Sequence, residues 1–104
     1  MLELNKENFE EQVLNSQGLV LVDFWSPKCE PCMELMPHVT ELAGKYKGVK
    51  FGKVNILENR RLAIGQKVLG LPTILIYKDG EKVAELSKDF TIEDVETTLK
   101  EQLG

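Results

Sequence analysis

Cys29 and Cys32 are the two cysteines of the chain, separated by Glu30 and Pro31. A thiol pair at this spacing fits three roles: thiol–disulfide exchange, half of a zinc site, or a pair of inert core side chains. A mononuclear zinc site takes four ligands, and His38 is the single histidine, so one chain supplies such a site poorly. The surrounding pattern bears on the other two. Leu19–Trp25 is an almost unbroken apolar run, Ser26-Pro27 interrupts it, and Met33, Leu35, Met36, Val39, Leu42 and Ala43 then recur at helical spacing. The cysteines therefore fall at a strand–loop–helix junction, with Pro31 suited to the first helical turn. At that place unpaired N–H groups and the helix dipole favour a thiolate on Cys29, the expected nucleophile. Cys32, about one turn further along, can attack a mixed disulfide on Cys29 and expel the reduced partner. It is the expected resolving thiol, and the more buried of the two.

The elements that must position this pair follow from periodicity. Phe9 and Val13 predict an amphipathic helix ending near Gly18, with Asn5 or Asn8 as its cap. The run 19–25 predicts a strand covered on both faces, at a sheet centre. A helix then extends to Gly44, with Pro37 kinking it rather than ending it and His38 solvated. A strand is expected over 49–56, and a short helix capped by Asn59 over 59–66. Strands over 73–77 and 82–86 are expected to form an antiparallel hairpin about Lys78-Asp79-Gly80-Glu81. Thr91-Ile92-Glu93-Asp94 predicts the start of a closing helix, one face of which is marked by Ile92, Val95, Leu99 and Leu103. With a short strand at Leu2–Leu4, the order implies an α/β class: a central mixed sheet of four to five strands, flanked by four helices.

The 104 residues suit one domain over 1–104. Thirteen basic against seventeen acidic residues give a net charge of −4 with no basic cluster, which argues against nucleic acid and anionic membranes as partners. No apolar run approaches the ~20 residues of a membrane span, and residues 1–5 lack signal-peptide character, so a cytoplasmic location is expected. A reducing cytosol disfavours a permanent structural disulfide.

Val22-Asp23-Phe24-Trp25-Ser26-Pro27-Lys28-Cys29-Glu30-Pro31-Cys32 and Leu71-Pro72-Thr73 together resemble the active-site and cis-proline segments of the thioredoxin family, and the resemblance runs nearly end to end. It implies the thioredoxin fold and a monomer that reduces disulfide-containing protein substrates, needs no bound cofactor or metal, and is recycled by a thioredoxin reductase. Disulfide oxidation or isomerisation, and a redox-independent binding module using a Trp25/Pro72 groove, are the other functions this fold could serve. By the same resemblance Asp23 lies beneath the cysteines, where burial raises its pKa and suits it to exchange the Cys32 proton, with Lys53 as its partner. A cis Leu71–Pro72 bond would present the Leu71 backbone to an extended substrate, with Trp25 as a further wall.

Two stretches depart from the family. Lys28 and Glu30 stand where a tryptophan and a glycine are usual, and put opposing charges beside the reactive sulfur. Ser87-Lys88-Asp89 replaces the small residue or glycine that usually borders the substrate groove. Both are expected to narrow the choice of reductase or target.

Overall fold

A computed structural model describes residues 1–104. Five strands, β1 (Leu2–Leu4), β2 (Leu19–Trp25), β3 (Lys50–Asn55), β4 (Thr73–Lys78) and β5 (Glu81–Ser87), form one sheet in the order β1-β3-β2-β4-β5. β1 and β2 both run parallel to β3, whereas β4 is antiparallel to β2 and β5 to β4. The mixed sheet and the central place of β2 are as the sequence predicts.

The centrality of β2 explains its composition, since its side chains alternate into two separate cores. Val20, Val22 and Phe24 meet Leu4, Phe9, Val13, Leu75 and Tyr77 on one face. Leu19 and Leu21 meet Ile74 and Ile76, together with Val39 and Leu42 of helix α1 (Glu30–Lys45) and Val95 and Leu99 of helix α3 (Ile92–Leu103), on the other. Asp23 falls in the second set by parity, a carboxyl where the pattern calls for an apolar side chain.

α1 continues through Pro37 to Lys45, so the proline does not end it. α3 opens with a reciprocal capping box: the Asp94 N–H donates to Thr91 Oγ1 at 3.2 Å and the Thr91 N–H to Asp94 Oδ2 at 2.9 Å. At the hairpin, Asp79 (φ 53°) and Gly80 (φ 86°) adopt the left-handed pair that a tight two-residue turn requires.

Two local expectations are corrected. The first helix is a single π-type turn, Glu10–Leu14, closed by an Asn15 N–H to Glu10 carbonyl bond of 2.8 Å. Phe9 and Val13 are buried as predicted, but the Lys50 ammonium of β3 takes the Gln12 carbonyl at 3.0 Å, the acceptor a continuing α-helix would give to Ser16. Asn5 and Asn8 cap one another's backbone ahead of this turn. Asn59 precedes the short helix α2 (Arg60–Gly65) without a side-chain cap bond. Its Oδ1 instead accepts from the Lys6 N–H at 3.0 Å and its Nδ2 donates to the Asn55 carbonyl at 3.0 Å, which ties the amino-terminal segment to the end of β3.

Candidate active site

β2 ends at Trp25, and Ser26 organises the turn that follows. Its carbonyl accepts from the Cys29 N–H at 3.0 Å and its hydroxyl from the Lys28 N–H at 3.1 Å, while the side chain is buried. Ser26-Pro27 is the break expected after the strand, and the structure adds that the Ser26 hydroxyl and carbonyl hold the turn together. The turn delivers Cys29 to the N-cap of α1, with Pro31 in the first turn.

Cys29 and Cys32 are joined as a disulfide with a Cα–Cα separation of 5.2 Å, within the range for a bridge. The two sulfurs are not equivalent. Cys29 is half-buried, and its Sγ accepts a hydrogen bond from the Cys32 N–H at 3.3 Å; Cys32 is fully buried. In the reduced protein that same N–H and the positive end of α1 would bear on a Cys29 thiolate.

Asp23 is wholly buried in β2, on the sheet face covered by α1, and neither carboxylate oxygen has a hydrogen-bond partner. Loss of hydration raises its pKa from 3.8 to about 7, against the smaller opposing field of Lys53. Lys53 is its register partner on β3, yet the ammonium does not close an ion pair with it. It lies over the Trp25 ring, 5.6 Å from the centroid, in a cation–π contact. Trp25 Nε1 is the third buried polar atom of the chain without a partner.

The Leu71–Pro72 peptide is cis. Antiparallel pairing of Phe24 with Thr73 brings this bond to the end of β2 from which the cysteine turn departs. Pro31, Leu71 and Pro72 share one groove with Leu35 and Phe90, and with the charged or ionisable Glu34, His38, Lys88 and Asp89. Trp25 does not line it, nor do Lys28 and Glu30, which are exposed at the cysteine turn. His38 is exposed as expected but also forms part of the groove wall.

The family model described as thioredoxin matches residues 1–101. The chain belongs to the thioredoxin family. It is 52% identical over 105 residues to a thioredoxin of Acetoanaerobium sticklandii, covering 99% of this chain and 100% of that protein. It is 49% identical over 106 residues to a thioredoxin of Peptoclostridium acidaminophilum, covering 100% of this chain and 96% of that protein. Membership of the thioredoxin family and the disulfide-forming Cys29–Cys32 pair make the chain a protein thiol–disulfide oxidoreductase with the thioredoxin fold. No helix is long and apolar enough to cross a membrane.

Proposed function

We propose that residues 1–104 act as one monomeric unit in the cytoplasm, reducing disulfides of other proteins and returning to the dithiol through a thioredoxin reductase, without a resident cofactor. The observation that carries this reading is the asymmetry of the pair: a half-buried Cys29 capping a helix and a sealed Cys32 on the face that also holds Asp23.

In the first step the Cys29 thiolate attacks one substrate sulfur. The Cys29–substrate bond forms, the substrate disulfide breaks, and the electron pair leaves on the other substrate sulfur, which takes a proton. Asp23, as carboxylate, then accepts the Cys32 proton; with a pKa of about 7 it is divided between its two forms near neutrality. The Cys32 thiolate attacks Cys29, and the second substrate sulfur leaves as a thiol. Two electrons and two protons pass to the substrate and the Cys29–Cys32 disulfide remains. Lys53 moderates the Asp23 proton affinity; Leu71 and Pro72 hold an extended substrate segment, and Trp25, Lys28, Glu30 and Pro31 border the attacking sulfur.

The test is interception. A Cys32→Ser variant should accumulate a mixed disulfide with a disulfide-bearing protein such as insulin, visible by mass, and Cys29→Ser should accumulate none. Trapping through Cys32 in the Cys29→Ser variant would reverse the assignment, and disulfide reduction by a variant lacking both thiols would exclude it.

A further inference from the structure

A second cavity adjoins the site and is unused by the cycle above. Lys67, Leu69, Gly70, Thr73, Glu85 and Ser87 line it, and it shares Leu71 and Lys88 with the groove beside Pro31. A substrate strand paired with the Leu71 backbone would therefore have one flank over each cavity.

Three residues other than glycine hold a positive φ: Lys67 (64°), Asp79 (53°) and Lys88 (61°). Asp79 belongs to the hairpin turn, where its carboxylate accepts from the Gly18 N–H at 2.8 Å. Lys67 is the left-handed residue that closes α2, its N–H on the Ile64 carbonyl and that of Val68 on the Ala63 carbonyl. Lys88 follows the last residue of β5. Glycine adopts both conformations without steric cost, yet each carries a lysine, and both lysines line this one cavity. Their charges are uncommitted: the two ion pairs of the chain are His38–Glu41 and Lys45–Glu96, and neither ammonium donates a hydrogen bond to the protein. Glu85 is the single acid among the lining residues.

We infer that Lys67 and Lys88 form a specificity subsite for a carboxylate side chain of the substrate polypeptide, a few residues to one side of the cysteine that Cys29 attacks. Two cations at the rim of an open cavity match an aspartate or glutamate on an extended strand, and backbone pairing at Leu71 sets which side of the cysteine it must occupy. The inference rests on the dithiol-reductant reading and adds a substrate class to it.

The experiment uses pre-reduced protein in single turnovers, so that no reductase enters. The substrates are peptides joined to 2-mercaptoethanol through one cysteine, with Glu or Gln at positions two to four on either side. Rates are taken relative to the uncharged disulfide of 2-mercaptoethanol itself. On one side of the cysteine, Glu should exceed Gln about fivefold at low salt, the size two exposed charge pairs can give, and the preference should shrink in 0.5 M NaCl. In the Lys67→Gly, Lys88→Gly double variant, whose glycines suit both backbone conformations, it should fall below about twofold. Equal Glu and Gln rates on both sides, or a preference that survives the double variant, overturns the subsite. If the wild type fails on every disulfide including that of 2-mercaptoethanol, it is the reductant reading that falls.

Discussion

Burial removes Asp23 from water with both oxygens unpartnered, and the carboxyl responds by holding its proton to about pH 7 instead of 3.8. The same shift links stability to pH. Between those two values the native state binds a proton that the unfolded chain has released, so stability falls as pH rises through the window and levels off above about 7. At ~1.36 kcal/mol per pH unit the loss approaches roughly 4 kcal/mol, a large fraction of what a domain of this size possesses. Asp23→Asn abolishes the titration. The variant should match the wild type near pH 4 and exceed it by roughly 4 kcal/mol at pH 8 in urea unfolding, while the Cys32 attack on a trapped mixed disulfide slows about tenfold or more. A stability gain that does not change with pH would show that Asp23 ionises normally, and would remove it as the proton acceptor.

At the scale of elements, the hairpin between β4 and β5 is fastened to the rest of the sheet at its tip. The Asp79 N–H donates to the Gly18 carbonyl at 3.0 Å, and a side-chain carbon on Gly80 would run into the Leu14 carbonyl. Gly80→Ala therefore combines an unfavourable φ with a backbone collision. It should cost about 2 kcal/mol or more in chemical denaturation, whereas Gly48→Ala, with open space around it, should cost far less. An equal effect at both positions would mean that the tip is not docked. Lys78-Asp79-Gly80-Glu81 was legible as a turn from local chemistry alone, and Leu19–Trp25 as a central strand from composition, because each preference agrees with the tertiary environment. The turn Glu10–Leu14 was misread as an α-helix because its geometry depends on Lys50, distant in sequence. Asn59 looked like a cap because nothing local reveals its bond to Lys6. In the site, the cysteine pair was readable from spacing, whereas the cis Leu71–Pro72 bond was reachable only through family resemblance. Lys67 drew no notice, since an exposed lysine after a short helix is ordinary until its φ and its cavity are known.

For the whole molecule, the fold and the disulfide are linked in one thermodynamic cycle. Cys29 caps α1 and Cys32 lies in its first turn, so closing the bridge orders little in the native state, whereas in the unfolded chain it costs the entropy of closing a four-residue loop. On the chain-entropy scale that difference is about 2 kcal/mol in favour of the oxidised native protein. The N-terminus of α1 opposes it by stabilising a Cys29 thiolate, typically worth ~0.3–1 kcal/mol for a charge at a helix end. The loop term is the larger, so the oxidised protein should unfold about 1–2 kcal/mol later than the reduced one, and several degrees higher in temperature. By the same cycle the folded couple should lie roughly 20–40 mV below the couple of the unfolded chain, the direction a reductant needs. Equilibration with a dithiothreitol buffer, with and without 8 M urea, measures both sides of the cycle. A reduced form more stable than the oxidised form would place the folded couple above the unfolded one, the direction a disulfide oxidant needs, while leaving the attack order of Cys29 and Cys32 intact.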